Sequence, residues 1–489
     1  MASGASTPSR NKTLTLNTAA LTVGRLGSKL LVFLLVRFYT YILTKEQYGT
    51  ADLITTAANF LIPLACAGLS SGFFRFAAEA RSRRERTTVF SSGVCILTIS
   101  SMGFALLSPL LYLIPYFSDY VWLILAYVLC ANLHYLVTDF IRAQGKYRLF
   151  AVQGVLNTAL NIAFNLIFLL PLSMGINGYV LSIVLADLCT SALLIVYCRL
   201  WQYLRPGAAD KRLIGMMLRY CLLLIPASVC WWITNASDRY MVTAFCGEAQ
   251  NGLYAAAYKI PNLLVIAAGI FIDAWQFSAV TENRRAKDAE TAIEQHARRR
   301  SLTAFFSKIF KGYAGFLFLA AAGMILLCRP MATVLFDPAF ADAWRFVPIL
   351  LLATVLSALG NFSASVYMVE RRGLASFVTA LIGAISNIAL NFCLIPAHGP
   401  LGAAIATALS YLIVFVIRLI STRRSIPYRC APAWLTLNVV LLSLMTALMT
   451  AEVRGWVWYS LGLFTLIAML CALSLIKNLR AWFKEHKKL

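Results

Sequence analysis

The sequence is poor in charged residues, and acidic residues are the rarest of them. Only 13% of its 489 residues are charged, with 20 Asp and Glu against 43 Lys and Arg, whereas soluble domains carry about 25% charged residues. Hydrophobic residues make up 60% of the chain, and the mean hydropathy is +0.75. No stretch between its apolar runs could fold as a separate soluble catalytic domain, so the sequence argues against a membrane-bound glycosyltransferase or polymerase.

The sequence also lacks the close groups of residues that bind metals or form disulfides. Its 12 cysteines are scattered without a Cys-x-x-Cys pair, and its 4 histidines are dispersed. Cysteines spread through apolar runs are typical of small buried side chains. We therefore expect no metal, no cofactor and no catalytic residues, which indicates a protein that is not an enzyme.

Fourteen apolar runs are long enough to cross a membrane, since a transmembrane helix needs about 20 apolar residues. The first run is too long for a signal peptide and has no cleavage site, so it predicts an uncleaved first span. The sequence thus predicts an all-α polytopic membrane protein with about 14 transmembrane helices. The predicted spans are 15–43, 48–77, 89–115, 120–141, 149–172, 177–200, 215–235, 250–280, 308–329, 345–369, 374–396, 401–421, 432–451 and 455–476.

The basic residues concentrate on one side of these spans. When connections are numbered from a cytoplasmic N-terminus, the inner side holds 32 Lys and Arg and the outer side holds 5. This bias predicts a multi-pass protein of the cell membrane with both termini in the cytoplasm. The inner loops would attract anionic lipids. Nucleic acid is not an expected partner, because the basic residues are spread over seven loops and the tail.

A short motif occurs once in each half of the chain. Residues 161–165 recur at 387–391 with asparagine at both ends, and each run is followed by a proline and a Gly-x-x-Gly turn. The offset is 226 residues at the asparagines, 224 at the glycines and 202 to 203 in a weaker match upstream. The matched residues are Asn161 and Asn165 with Asn387 and Asn391, Gly175 and Gly178 with Gly399 and Gly402, and Arg37, Glu46 and Gly49 with Arg239, Glu248 and Gly252.

The repeat predicts two six-helix lobes that both enter the membrane from the same side, because six is an even number of spans. Parallel repeats around a central cavity are a transporter architecture. The predicted parts are an N-terminal lobe at 1–200, a cytoplasmic linker at 201–214, a C-terminal lobe at 215–421, a transmembrane hairpin at 430–476 and a basic cytoplasmic tail at 477–489. The repeated asparagines are interpreted first as packing residues between helices and second as cavity lining.

A charged cytoplasmic insert is predicted at 281–307, within the C-terminal lobe. Glu290, Glu294 and Arg298 follow one another there at a spacing of four, which indicates a helix. The insert is a candidate binding region for a partner particular to this protein.

Two cations in the first predicted span mark the strongest candidate site. A cation near the bilayer midplane costs roughly 2.5 to 3.5 kcal/mol, and Arg25 and Lys29 lie four residues apart on one helix face. They predict a place for an anionic group inside the membrane. The alternative is an internal salt bridge to Asp187 or Asp139.

Two further cations have similar alternatives. Lys259 occupies an equivalent place early in the second half, where it either joins the anionic site or extends outward to the interface. Arg75 lies four residues before Glu79, which favours a local ion pair over a position at the cavity mouth. Arg219 is expected to extend to the inner interface.

Four charged residues near the predicted outer ends of spans 1, 2 and 7 suggest a gate. We expect Arg37 to pair with Asp238, and Arg239 with Asp52, when the carrier faces inward. Exposed pairs of this kind are individually weak, on the order of 1 kcal/mol, which suits contacts that must open.

Three carboxylates inside spans are candidates for coupling transport to H+ or Na+. Asp187 lies near the middle of span 6, Asp139 in the inner third of span 4 and Asp273 toward the inner end of span 8. A carboxylate at membrane depth is either a coupling site or a counter-charge, and the sequence leaves both open for Asp187 and Asp139. The membrane potential offers a third source of coupling.

Three segments resemble the polysaccharide flippases (Wzx-like) of the multidrug/oligosaccharidyl-lipid/polysaccharide exporter superfamily. The turn at 387–402 is similar to the family's turn between spans 11 and 12. A second segment is similar to the family's signature of spans 7 and 8 at Asp238, Arg239, Tyr240, Gly247, Glu248, Gly252, Tyr254, Ala257, Tyr258, Lys259 and Ile260. A third segment is similar to the family's second span at Tyr48, Gly49, Asp52, Gly68, Leu69, Arg75 and Phe76.

The resemblance implies two lobes like those of multidrug exporters and a carrier that moves a polyprenyl-diphosphate-linked oligosaccharide from the inner to the outer leaflet by alternating access. It also implies a cationic cavity for the diphosphate, to which Arg25, Lys29, Lys259 and Arg75 would contribute. A polysaccharide polymerase or glycosyltransferases would be partners. The alternatives are a cation-coupled drug or metabolite antiporter on the same scaffold, a flippase for a peptidoglycan precursor, and a non-transporting scaffold.

Overall fold

The computed structural model describes residues 35–114, 116–287, 292–370, 372–423 and 425–486, and these residues form helices and no strand. The first helix, α1, occupies the described residues 35–42. The helices that follow are α2 Lys45–Ala65, α3 Leu69–Glu79, α4 Arg83–Leu107, α5 Val121–Ala143, α6 Tyr147–Leu169, α7 Gly175–Tyr197, α8 Lys211–Leu222, α9 Ile225–Cys246, α10 Glu248–Ala257, α11 Lys259–Lys287, α12 Ala292–Leu326, α13 Cys328–Leu335, α14 Val347–Val369, α15 Gly373–Thr422, α16 Pro432–Thr450 and α17 Trp456–His486.

The all-α membrane fold is confirmed. In the described part of the chain, 9 helices are long and apolar enough to cross a membrane, or 11 when each of two bent pairs is counted as one span. One of the 9 is α15, whose 50 residues would measure about 75 Å at 1.5 Å per residue, far more than a hydrocarbon core of about 30 Å. The count of 14 stays a prediction, because most of the first span lies outside the described residues.

Helix α15 is a hairpin of two spans that reverses at Gly399. The backbone of Gly399 has φ 58° and ψ −142°, which is non-helical and which favours glycine. The two arms then pack closely, since a Cβ added to Gly402 would lie 2.3 Å from the carbonyl oxygen of Leu394. Across the hairpin, the Asn387 amide donates to the Thr407 hydroxyl over 3.4 Å. The turn predicted at 387–402 is therefore present.

The first copy of the motif has the same local geometry. Gly175, at the start of α7, also has a positive φ of 54°, and a Cβ on Gly178 would meet Phe168 Cβ at 3.0 Å. The Asn165 amide donates to Asn161 Oδ1 over 3.0 Å. In the second copy, the Asn391 amide donates to Asn387 Oδ1 over the same distance. The asparagines thus bond within their own helix, and Asn387 also bonds across the hairpin.

The second span of each predicted repeat is broken rather than straight. Helices α2 and α3 meet at 48°, and α10 meets α11 at 40°. The first break contains two residues of positive φ, Ala67 at 51° and Gly68 at 78°. Gly68 lies so close to α8 that an added Cβ would be 2.4 Å from the Cys221 carbonyl oxygen. Glycine is therefore required at this position by both its backbone angle and its neighbour.

The chain divides into two compact units, Met1–Trp232 and Ile233–Leu489. The division falls within α9, whereas the sequence predicts a linker at 201–214 with lobes on either side; those lobe boundaries stay a prediction. In unit 1 the core contains Phe73, Phe90 and Phe140. In unit 2 an aromatic core forms around Phe362, which stacks on Trp275 at 4.8 Å between ring centroids.

The C-terminal pair α16 and α17 is attached to the rest of unit 2 by an ion cluster. Arg329 donates to Glu452 over 2.7 Å, and Arg345 reaches the other oxygen of Glu452 at 3.4 Å. The Arg329 guanidinium also lies over the rings of Trp344 and Trp456, 4.0 Å and 5.1 Å from their centroids. These contacts join the turn between α16 and α17 to the first turn of α13 and to the segment that follows α13.

The charged insert is helical on both sides of the residues that the structure leaves undescribed. Helix α11 continues to Lys287 and α12 begins at Ala292, and Arg298 forms an ion pair with Glu294 at the spacing of four that indicated a helix. Glu290 lies outside the described residues. The described parts of the insert, 281–287 and 292–307, thus continue α11 and α12.

Replacing Gly402 by alanine should destabilise the hairpin, because the new Cβ would collide with backbone atoms that have little room to move. Overpacking of this kind costs about 1–3 kcal/mol. We expect a lower Tm for Gly402→Ala in detergent solution. Gly312→Ala is the matched control, since a Cβ there meets nothing within 4 Å. Equal Tm values for both variants would show that the arms are not closely packed.

Candidate functional site

The cations predicted to bind an anion, Arg25 and Lys29, lie outside the described residues. Their site therefore stays a prediction. Within the described part, each unit contains a cluster of polar side chains at membrane-helix positions. Asp238 is the centre of the cluster in unit 2, and Asp187 is the centre of the cluster in unit 1.

Asp238 on α9 is completely buried, with 0% of its surface exposed. Its Oδ2 accepts hydrogen bonds from the hydroxyls of Tyr254 and Tyr258, each over 2.8 Å, and one over 3.5 Å from the Thr407 hydroxyl. Its Oδ1 accepts from the Arg239 backbone N–H over 2.9 Å. Tyr254 lies in α10 and Tyr258 is the residue between α10 and α11, so the carboxylate ties this break to α9 and to α15.

The cluster continues through Asn387. Its Oδ1 accepts from the Ser237 hydroxyl over 2.9 Å, and its amide donates to Thr407 and, over 3.5 Å, to Ser410. Asn391 is also fully buried, and its Oδ1 has no hydrogen-bond partner within the residues described. The buried carboxylate of Asp238 thus has only uncharged hydrogen-bond partners among those named here. A carboxylate at membrane depth is a candidate site for a proton or a cation.

Lys259 and Arg239 flank this cluster. Lys259 begins α11, directly after Tyr258, and is half-buried. The Arg239 guanidinium lies 4.9 Å from the centroid of the Tyr258 ring, a cation–π distance. The proposed gate pairs, Arg37 with Asp238 and Arg239 with Asp52, would each connect one unit with the other. Both stay predictions, although the full burial of Asp238 differs from the exposed position that a gate residue was expected to have.

Asp187 in unit 1 has neutral partners. Its Oδ1 accepts from the Asn157 amide over 2.8 Å, and that amide also lies 3.5 Å from the Thr190 hydroxyl. The Ser191 hydroxyl donates to the Asp187 backbone carbonyl over 2.6 Å and lies 3.3 Å from His134 Nδ1. A carboxylate, an imidazole and two hydroxyls therefore meet between α5, α6 and α7. Groups of this kind can take up and pass on a proton.

Asp139 and Asp273 are the other two carboxylates that were predicted as coupling candidates. Asp139 forms an ion pair with Arg142 at 3.0 Å, one turn along the same helix. Asp273 is exposed. The predicted local pair of Arg75 with Glu79 is present at 3.3 Å, and the Arg75 guanidinium lies over the Tyr220 ring.

Several residues of these clusters escaped the sequence analysis. His134 and Asn157 carried a usable signal, since histidine and asparagine are costly in an apolar span. Tyr254 and Tyr258 stood in a matched segment at a spacing of four, which indicates one face of a helix. Thr407 gave no signal, because it reaches Asp238 from 169 residues away.

The profile of a protein family described as "Polysaccharide biosynthesis protein" matches residues 14–275, which is more than half of the chain. The chain belongs to this family. The suspected superfamily is thereby confirmed: this is a membrane protein of the multidrug/oligosaccharidyl-lipid/polysaccharide exporter superfamily, built as a transporter. No curated protein sequence matches the chain significantly.

Solved structures of the superfamily share the fold. A lipid II flippase MurJ in an inward closed conformation is 14% identical with a TM-score of 0.65, over 95% of this chain and 99% of that one. An inward-facing multidrug resistance MATE family transporter is 16% identical with a TM-score of 0.66, over 83% and 98%. A transporter from Pyrococcus furiosus is 14% identical with a TM-score of 0.55, over 84% and 94%.

Truncating Asp238 should destabilise unit 2. Asp238→Ala would leave the buried hydroxyls of Tyr254 and Tyr258 without their acceptor, and each unsatisfied group costs about 1–3 kcal/mol. Asp238→Asn keeps an acceptor oxygen, so its loss of Tm in detergent should be smaller. Asp273→Ala, at an exposed position, is the control. If Asp238→Ala melted like Asp273→Ala, the carboxylate would not organise this cluster.

Replacing Asp187 by asparagine should flatten the pH dependence of transport, because an amide cannot take up the proton that a carboxylate can. Transport would be followed in proteoliposomes over a range of pH. Asp210→Asn removes a carboxylate that only caps the start of α8 and should leave the profile as it is. An unchanged profile and rate for Asp187→Asn at every pH would remove Asp187 as a coupling site.

Proposed function

We propose that this protein is a flippase that moves a polyprenyl-diphosphate-linked oligosaccharide from the inner to the outer leaflet by alternating access. The observation that carries the proposal is membership of the polysaccharide biosynthesis family on a transporter fold. Polymers built outside a membrane from precursors made inside need such a step, since a sugar headgroup cannot cross hydrocarbon unaided.

The extent of the fold likeness supports a lipid-linked substrate. The likeness to the lipid II flippase covers 95% of this chain, too large a share to leave out both helices of the C-terminal pair α16 and α17. The likeness to the multidrug transporter covers 83%. A lipid tail needs apolar surface beyond the headgroup cavity, and additional membrane helices are one way to supply it.

The sign of the charges at membrane depth also favours an anionic headgroup. Arg25, Lys29 and Lys259 fall inside predicted spans, and a diphosphate accepts strong charge-assisted hydrogen bonds from such cations. In the transporter from Pyrococcus furiosus, reverse polarity of the binding pocket is taken to suggest a different function. By the same reasoning, a basic excess here fits an anionic lipid better than a cationic drug.

The membrane potential could supply the direction of transport. Moving about two negative charges outward across 100 mV, inside negative, releases roughly 4 to 5 kcal/mol at about 2.3 kcal/mol per charge. The half-buried carboxylate of Asp187 and the buried carboxylate of Asp238 are candidates to bind H+ or Na+ as additional coupling ions.

A cation-coupled drug or metabolite antiporter is the second candidate, because the fold likeness to a multidrug transporter has a TM-score of 0.66. An antiporter of cationic drugs needs an acidic cavity. The two candidates therefore differ in the sign of the charge that the substrate carries.

The decisive test is reconstitution with a fluorescent polyprenyl-diphosphate sugar, scoring its exposure in the outer leaflet. We expect transport by the wild type and at least a tenfold slower rate for the Arg25→Ala, Lys29→Ala double variant, since each charge-assisted hydrogen bond is worth about 1.5–3 kcal/mol. The Lys211→Ala, Arg212→Ala variant removes two exposed cations and controls for net charge. A wild-type rate in the Arg25, Lys29 variant would refute the proposed diphosphate site.

A further inference from the structure

A cavity of about 490 Å³ lies within unit 1, at the break between α2 and α3. Residues on both sides of the break contribute to it, together with Tyr135 from α5 and two residues of α9. Its volume falls within the range of about 300–1,000 Å³ that is typical of small-molecule sites. The lining consists of Asn59, Phe60, Ile62, Pro63, Ser70, Ser71, Tyr135, Ser228 and Trp232.

The cavity lies where the helix is interrupted between α2 and α3. Pro63 lies near the end of α2 and has no N–H, so the ordinary helical bond to the carbonyl oxygen of Asn59 is not made. Both residues line the cavity. A carbonyl without its helical donor adds an acceptor to a wall that would otherwise be apolar.

One wall of the cavity is aromatic and held in place. The rings of Phe60 and Trp232 pack at 4.2 Å between centroids, and Trp232 Nε1 donates to the Thr56 carbonyl oxygen over 3.0 Å. Because the indole N–H is already bonded to the backbone, the ring of Trp232 is held in one orientation. A ligand in the cavity can therefore contact the aromatic face of Trp232 but not its N–H donor. The exposed ring of Tyr135 adds a third aromatic side chain.

Apart from Ile62 and Pro63, the rest of the lining is polar and uncharged, and it consists of Asn59, Ser70, Ser71 and Ser228. The Asn59 amide donates to the Thr55 carbonyl over 2.8 Å, and the Ser228 hydroxyl donates to the Leu224 carbonyl over 3.2 Å. The Ser71 hydroxyl forms no hydrogen bond with any residue that the structure describes. Not one of the nine lining residues is an Asp, Glu, Lys, Arg or His.

We propose that this cavity binds an uncharged sugar ring of the glycan headgroup. A sugar ring presents an apolar C–H face that stacks on aromatic rings and an edge of hydroxyls that pairs with amides and serine hydroxyls. A lipid tail would leave the Ser71 hydroxyl without a partner, which is unfavourable. An acidic sugar would bury a charge that no lining residue neutralises. The cavity thus binds one sugar ring of the glycan, and it selects neutral sugars over uronic acids.

Because the sugar pocket rests on the proposed function, its test separates the two. Binding to the purified full-length protein in nanodiscs would be measured for a polyprenyl diphosphate that carries a neutral amino-sugar disaccharide and for the bare polyprenyl diphosphate. Trp232→Leu removes the aromatic face and should weaken binding of the sugar-bearing lipid about 3- to 10-fold. Binding of the bare lipid should not change, and Trp232→Phe should restore most of the loss.

The control variant is Trp458→Leu, which removes a tryptophan that is 76% exposed in the C-terminal helix pair and should bind both lipids like the wild type. Thermal unfolding of each variant checks that it is folded. An equal loss for both lipids in Trp232→Leu would assign the cavity to the lipid tail, and no loss for either would refute a binding role.

A second arm needs no lipid. Saturation-transfer NMR would detect the free neutral disaccharide on the wild type, with the signal lost in Trp232→Leu and absent for a uronic-acid disaccharide. If the wild type bound neither lipid but kept this signal, the flippase function would fail and the sugar pocket would stand. If the wild type bound the lipid and gave no sugar signal, the pocket would fail and the function would stand.

Discussion

The constraint on which this structure depends is that hydrocarbon offers backbone groups no hydrogen-bond partners. Each unsatisfied group costs several kcal/mol there, so the spans that the structure describes are helical and each interruption in them must be repaired locally. At the break after α2, the Gly68 N–H bonds to the Pro63 carbonyl over 2.7 Å and the Leu69 N–H bonds to Cys66 over 3.0 Å. Glycines 68, 175 and 399 supply the backbone angles that these repairs require.

The cavity of unit 1 and the Asp238 cluster of unit 2 lie at such interruptions. In unit 1 the break between α2 and α3 borders the cavity of Phe60, Pro63 and Trp232. In unit 2 Tyr258 at the break between α10 and α11 donates to the buried carboxylate of Asp238. The two breaks fall in the second span of each predicted repeat, but at different depths, since α2 has 21 residues and α10 has 10. The two breaks thus border different chemical groups.

The sequence was sufficient for features that local spacing determines. The repeated asparagines and glycines, and the ion pairs Arg75 with Glu79 and Arg298 with Glu294, follow from intervals of three or four residues that put side chains on one helix face. Partners joined by tertiary packing could not be predicted, because a spacing of 169 residues between Asp238 and Thr407 leaves no periodic signal. The cavity depends likewise on Trp232, which reaches Thr56 across 176 residues.

A carrier must recognise its substrate and also release it, and a division of labour between charge and stacking meets both needs. Cations attract a diphosphate strongly but do not distinguish one glycan from another. A neutral cavity contributes less affinity, yet a site that hydrogen-bonds sugar hydroxyls discriminates sharply against ligands that leave its polar groups unpaired. If the diphosphate provides attraction and the sugar provides selection, neither contact has to be so strong that it prevents release. Carboxylates with uncharged hydrogen-bond partners, such as the half-buried Asp187 and the buried Asp238, would then be available to respond to a coupling ion without competing for the headgroup.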